Sequence, residues 1–361
     1  MKSLLILLFF CCITTSTACL SHASRHDQFL PLNNTFAQTN QPALNPSGYA
    51  ILPLSHGAYM VTDGIYQSLV LISTAGVVVV DAPPTLGHNL QHAISNLTSL
   101  PVKWFIYSHS HADHAGGAYL FSSSSASPHA NANAKNPVII AHENTAEQLA
   151  SANDSHRRPL PNITFRKMYH LQAGNQTLEL FFPGVGHDLG NIIIYAPAQK
   201  VLMMVDQVYP GWVPFSGLAA SVYVPGWMAA HDAILKYDFD VYLGGHMGGL
   251  GTRKDVQIQR EYVWDVWRNC KRILEESGDP TNEVVGLPGI QKDVLGMNEG
   301  NYWALFAVYL DTVAERCYNV TNERWLGRLA AQDVFGYSHA WRMTESLRLD
   351  YDVLGPTGVQ E

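Results

Sequence analysis

The chain has 361 residues, 47% of them hydrophobic, enough for one large core or for a core with an extension. Charged residues make up only 14%, and the formal net charge is -8. With no lysine and arginine cluster of the size that phosphate neutralisation needs, nucleic acid is excluded as the expected partner.

Met1-Lys2-Ser3, the apolar run over residues 4–10 and the small residues Ser16-Thr17-Ala18 read as a secretory signal peptide over residues 1–18. The run is too short to span a bilayer and no later stretch has the length, so no membrane partner is expected after signal removal. A lipid anchor on Cys19 is the alternative. Six N-x-S/T sequons, at Asn33, Asn96, Asn153, Asn162, Asn175 and Asn319, fit a secretory route and a glycoprotein. Residues 19–46 are polar, with Pro and Asn, and read as a loose N-terminal segment.

Strand signals follow. Residues 58–61 and 68–72 flank a turn at Asp63-Gly64. Residues 76–81, Gly-Val-Val-Val-Val-Asp, predict a strand buried on both faces. Residues 89–97 predict a helix and 102–107 another strand. The serine-rich stretch 121–135 reads as a surface insertion. A strand at 138–140 precedes a helix from about 144; strands at 177–182, 191–195 and 201–205 follow, then a helix over 227–237 and a short strand at 240–243. This order predicts a layered α/β sandwich over residues 47–252.

From residue 253 the character changes. Ile258, Tyr262, Val266, Trp267, Cys270 and Ile273 recur at helical spacing, as do Trp303, Phe306, Leu310, Val313 and Cys317. Residues 253–361 are therefore expected to form a C-terminal helical extension, serving either as added packing or dimerisation surface or as a cap over a site. Cys270 and Cys317, the cysteines clear of the N-terminal region, are either a disulfide between these helices or two buried thiols.

The chemistry is concentrated in His109-Ser110-His111-Ala112-Asp113-His114, at the end of the 102–107 strand. His187 in a Gly-rich turn, Asp206 after the 201–205 strand and His246 after the 240–243 strand are further metal-ligand residue types at strand ends. A lone histidine is more often a hydrogen-bonded structural residue; seven such residues, four of them in one run, point to a metal site. The chain lacks a G-x-S-x-G elbow, which disfavours a serine hydrolase.

Over roughly residues 50–252 this pattern resembles the metallo-β-lactamase fold superfamily, whose signature is a His-x-His-x-Asp-His run followed by a His, an Asp and a His at later strand ends. The resemblance implies a four-layer αββα sandwich and two zinc ions per chain. One would be held by His109, His111 and His187, the other by Asp113, His114 and His246, with Asp206 bridging them. Hydroxide shared by two such metals exists at neutral pH and attacks a carbonyl carbon. Asp113 and Tyr209 are the candidate catalytic residues. An Asp at the bridging position resembles glyoxalase II-like thioesterases and quorum-quenching lactonases, and Tyr209, three residues on, stands where lactonases of the family carry a Tyr that polarises the substrate carbonyl. A Tyr packed in the loop is the alternative.

The segment from Tyr209 to Phe215, with Trp212 between, and Trp227 beyond it, line either a hydrophobic pocket or the core. Ile65 and Tyr66, beside Asp63-Gly64, sit where the family places a substrate-covering loop. His88, His92, His142 and His231 are expected to be structural or solvated. The expectation is a secreted dinuclear zinc hydrolase of a small molecule, a lactone or hydrophobic ester. The alternatives are a β-lactamase or other amide hydrolase, an iron-dependent redox protein, and a non-catalytic metal-binding module. The oligomeric state is not readable from the sequence.

Overall fold

The computed structural model describes residues 29–32, 36–122, 136–247 and 249–354. The signal peptide, Cys19, Asn33 and most of the serine-rich stretch lie outside the described residues.

Two mixed sheets stack face to face. The first has seven strands in sequence order: β1 (Ala50–Ser55), β2 (Ala58–Thr62), β3 (Gln67–Ser73), β4 (Gly76–Val80), β5 (Val102–Ile106), β6 (Val138–His142) and β7 (Ile163–Phe165). β1 to β4 are antiparallel neighbours and β4 to β7 parallel ones. The second sheet holds β8 (Met168–Ala173), β9 (Gln176–Phe181), β10 (Ile193–Ala196), β11 (Val201–Met203) and β12 (Val241–Leu243), with β11 and β12 parallel.

Leu69, Leu71, Val78 and Ile106 of the first sheet meet Leu178, Leu180, Ile194 and Met203 of the second. Behind the first sheet, Val77, Val79 and Phe105 pack on α2 (His88–Leu97) and α4 (Glu143–Ala152) through Leu90, Ile94 and Leu149. Behind the second, Ile193, Leu202 and Tyr242 pack on Ala230 and Ile234 of α6 (Val224–Ile234). The result is the expected αββα order. β4 is buried along its whole length, and each fully buried valine there contributes roughly 1.5–3 kcal/mol.

β1, β7 and β8 carry weak strand signals. Pro53 lies at a bulge in β1, a tolerated place for proline in an edge strand. β7 is three residues long. Ahead of β1 the predicted loose segment is tied down from Phe36 onward. It forms α1 (Phe36–Thr39), and Asn40 Nδ2 donates to the Leu250 carbonyl at 2.8 Å.

Beyond β12 lie α7 (Arg253–Ser277), α8 (Leu287–Met297), α9 (Tyr302–Trp325) and α10 (Gln332–Leu349). Thr252 caps α7 in a reciprocal box with Asp255. A disulfide joins Cys270 of α7 to Cys317 of α9. Leu310, Val313 and Cys317 bury the predicted face of α9, but the stripe does not continue to its first turns: Trp303 is 82% exposed and Phe306 lies under the Arg348 guanidinium. The extension shares one core with the loop after β11 and with α6, where Tyr209, Val213 and Trp227 pack with Tyr262, Trp325 and Met343. None of the helices among the described residues is long and apolar enough to cross a membrane.

Candidate metal centre

Four chain segments deliver the ligands to one edge of the sandwich. The run after β5 folds into the single turn α3 (Ala112–Ala115), with His111 at its N-cap and His114 buried inside it. That loop is pinned to the end of β4: the Ser108 amide donates to Asp81 Oδ1 at 2.9 Å, and the Ala82 amide donates to the His114 carbonyl at 2.9 Å. His187 comes from the loop between β9 and β10, Asp206 from just beyond β11 and His246 from just beyond β12. Gly245 has φ +87°, and a Cβ there would lie 2.6 Å from Val205 Cγ1 and 3.2 Å from His114 Cε1, so only glycine lets His246 come in behind His114.

All seven predicted ligands are brought together. His109, His111, His187 and Asp206 form one group, and Asp113, His114 and His246 another; within each, the candidate donor atoms lie within 4.8 Å of one another. Asp206 stands between the groups. Its Oδ2 lies 3.1 Å from His187 Nε2, 3.4 Å from His109 Nε2 and 3.3 Å from His114 Nε2, and its Oδ1 lies 2.7 Å from His246 Nε2. Asp113 is the outermost of the seven, with Oδ2 3.6 Å from His114 Nε2.

This donor set fits divalent metal ions. His187 Nε2 faces His111 Nδ1 at 3.0 Å, and His114 Nε2 faces His246 Nε2 at 3.0 Å. In their neutral form, imidazoles placed this way direct lone pairs at a common point, which a cation satisfies. His109 Nε2 is buried without a hydrogen-bond partner. Burial opposes the charge on Asp206, yet the facing His114 and His187 hold its carboxyl well below the usual range. Burial likewise opposes a charge on His114, but Asp206 outweighs it and lifts that imidazole to about 9. The centre thus calls for positive charge, and its imidazole and carboxylate donors, without thiolate, suit zinc.

The outer nitrogens of the ligands are also held. His187 Nδ1 donates to the Ala219 carbonyl at 2.6 Å, and Ser108 Oγ lies 2.9 Å from His109 Nδ1. Buried Gln67 ties down the His246 loop: its Oε1 accepts from the Gly245 amide at 3.1 Å and its Nε2 donates to the Gly249 carbonyl at 2.8 Å. Such outer partners fix ring orientation and raise ligand basicity.

Tyr209 Oη donates to Asp206 Oδ1 at 2.9 Å. Burial, and then Asp206, push this phenol well above its usual pKa, so it stays a donor. A cavity of roughly 290 Å³ opens over the ligands, walled by Tyr66, Trp212, Val213, Phe215, Met247 and Phe335. The Tyr66 ring lies 4.7 Å from that of His246. Trp227 does not line the cavity: it is fully buried, and its Nε1 donates to the Asp206 carbonyl at 3.3 Å. Ile65 is exposed and does not line the cavity.

Met247, Ala331 and Phe335 were not among the residues expected at the pocket. The last two belong to the start of α10 and the residue before it, so the helical extension forms part of the wall as well as packing behind it. His142 caps α4 by accepting from the Asn144 amide, and His231 is buried between Gln207 and Gln259, so both have the expected structural roles.

Residues 61–246 match the sequence family described as the Metallo-beta-lactamase superfamily. The chain is 28% identical over 221 residues to the 2,4-dinitroanisole O-demethylase subunit alpha of Nocardioides sp. (strain JS1661), covering 60% of this chain and 63% of that protein. It is 28% identical over 191 residues to the Metallo-beta-lactamase type 2 of Bacillus cereus, covering 52% of this chain and 68% of that one. Among solved structures, a metallo-beta-lactamase from Pontibacter korlensis superposes with a TM-score of 0.48 at 22% identity, over 59% of this chain and 99% of its own. With the signature ligands assembled at the edge of an αββα sandwich and the family match spanning more than half the sequence, the chain belongs to the metallo-β-lactamase superfamily.

Proposed function

We propose that the protein is a secreted dinuclear zinc hydrolase acting on uncharged, hydrophobic carbonyl esters, lactones foremost. The observation that carries the substrate reading is the composition of the cavity wall: aromatic and aliphatic side chains surround the ligands, and among the described residues no lysine or arginine lines the cavity. An anionic substrate would find no side-chain cation there to replace its lost hydration. That disfavours β-lactams, which carry a carboxylate, despite the sequence likeness to β-lactamases. The likeness to a subunit named for an O-demethylase of 2,4-dinitroanisole, an uncharged aromatic, is in keeping with an apolar ring in this cavity.

When bound, a pair of zinc ions supplies water acidic enough to attack a carbonyl at neutral pH and an electrophile for the oxygen that gains charge. The chain's own residues do the rest. His109, His111 and His187 hold one position, Asp113, His114 and His246 the other, and Asp206 faces both. Tyr209 keeps its phenolic proton and donates it to Asp206 at the base of the cavity. Trp212, Phe215 and Phe335 exclude water and orient a flat or alicyclic substrate against the ligands. Asp113, with its side chain 42% exposed, is the carboxylate best placed to exchange protons with solvent.

Secretion is supported by the apolar start of the sequence, by the disulfide, which is characteristic of oxidising compartments, and by exposure of the sequon asparagines Asn96, Asn153, Asn162, Asn175 and Asn319. A lipid anchor on Cys19 is the competing reading. The experiment that tests the whole proposal is a panel of lactones, aryl esters and β-lactams on protein whose metal content has been measured. Two zinc ions per chain and turnover of lactones or aryl esters, abolished by a chelator, is the expected result. A single iron, or no turnover of any ester, overturns it.

A further inference from the structure

Residues 217–220, between β11 and α6, turn the wrong way for L-amino acids. Gly217, Leu218, Ala219 and Ala220 have φ of +64°, +59°, +58° and +49°. Glycine adopts this region freely, but each of the other three is disfavoured by about 1–2 kcal/mol. A left-handed turn with three consecutive non-glycine residues persists only where its surroundings hold it, and such strain clusters at functional sites.

What holds it is α10. Ser338 Oγ accepts from the Gly217 amide at 3.0 Å. His339 Nε2 donates to the Phe215 carbonyl at 3.1 Å while its Nδ1 accepts from the Tyr262 hydroxyl at 2.7 Å. Arg342 donates to the Ser221 carbonyl at 3.0 Å. These three side chains share one face of the helix and grip the turn before, at and after its left-handed residues. Inside the turn the Ala219 amide donates back to Phe215. Leu218 and Ala219 are buried, and the Ala219 carbonyl is left pointing at His187 Nδ1, 2.6 Å away. In a right-handed path that carbonyl would point elsewhere.

We propose that α10 is a positioning element of the metal centre: Ser338, His339 and Arg342 hold the left-handed turn so that the Ala219 carbonyl fixes the orientation and tautomer of His187 and presents its Nε2 to the metal. The inference rests on His187 being a ligand, as in the proposed function, and is independent of the substrate. It gives the helical extension a role in the site that neither added packing nor a cap describes.

The test uses the full chain, freed of metal and titrated with Zn²⁺ against a chromophoric chelator, and with Co²⁺ to read its visible absorption. The variants are S338A, R342Q, the double variant, and S338T, which keeps the hydroxyl. Loss of an outer partner of a ligand weakens metal binding by about 10–100-fold. The double variant is expected to lose about tenfold in affinity at one of two sites and to shift the Co²⁺ band, with S338T close to the parent and the metal-free thermal midpoint little changed. Affinity and band equal to the parent's in the folded double variant overturn the proposal. If the double variant does not fold, S338A alone decides by the same two readings. A parent chain that binds neither metal overturns both this inference and the proposed function; a parent that binds two, with variants that match it, overturns this inference alone.

Discussion

The Tyr209 hydroxyl gives its hydrogen to Asp206 Oδ1 at 2.9 Å, the same carboxylate whose Oδ2 faces His109, His114 and His187. A phenol committed to the central carboxylate acts first on the ligand. Hydrogen bonds to charged groups are worth about 1.5–3 kcal/mol. Tyr209→Phe is therefore expected to lower zinc affinity about tenfold, with a smaller loss of kcat once zinc is saturating. Unchanged affinity with a reduced kcat would place the phenol on the substrate carbonyl instead.

Asp206→Ala removes the carboxylate that faces imidazoles of both groups. The four imidazoles facing it then converge without a counter-charge. Loss of at least one metal per chain, seen by elemental analysis, and a fall in turnover of at least about 100-fold are expected. A variant that kept both metals and full activity would exclude a centre organised on Asp206.

The convergence of the seven candidate ligands was legible because they carry their own signal: a dense run with no structural reason to be so polar, and three more ligand types at strand ends. The buried valines of β4 were legible for a related reason, since a continuous apolar run has few alternatives. The rest depended on contacts between distant segments. Leu218, Ala219 and Ala220 have no left-handed signature, and the side chains that bond to their turn, Ser338, His339 and Arg342, lie more than a hundred residues away. Phe335 and Met247 enter the cavity from elements whose local pattern says nothing of a pocket. Trp303 fitted a helical stripe yet faces solvent, because periodicity shows that a face exists and not what covers it.

Phe335 and Phe215 meet edge to face, with ring centroids 5.2 Å apart, in the wall of the cavity. Loss of such a wall costs an aromatic substrate about 1–3 kcal/mol and a small one little. For Phe335→Ala, kcat/KM for phenyl acetate is expected to fall about tenfold or more relative to methyl acetate, at unchanged metal content. An unchanged ratio would mean that the acyl or alcohol group does not reach this wall.

Cys270 and Cys317 are fully buried and link α7 to α9 across a sequence separation of 47 residues. In the chain-entropy account, closing a loop of that length contributes about 4 kcal/mol. Replacing both cysteines by serine should lower the thermal midpoint by several degrees, and reductant should move the parent protein the same way. Insensitivity of the parent to reductant under unfolding conditions would show that the thiols are free in solution.

His231 and His339 make stability depend on pH. Burial pushes each imidazole down to about 4. The His231 Nδ1 donates to the Met228 carbonyl at 3.2 Å and its Nε2 accepts from Gln259 at 3.1 Å, so a second proton would set two donors against each other. Asp232 favours that proton and Arg260 opposes it, but burial outweighs both. The unfolded chain takes up the proton near pH 6.5 and the folded one near 4. Stability from the neutral form is therefore complete above pH 6.5 and is lost as pH falls toward 4. For His231 alone the loss between pH 6.5 and 5 is about 2 kcal/mol. Urea midpoints of zinc-free protein at the two pH values, for the parent and for His231→Gln, isolate this share from that of the ligand histidines. The variant is expected to be less stable at pH 6.5 yet to lose less on acidification; equal losses in the two proteins would mean that His231 already carries its proton when folded.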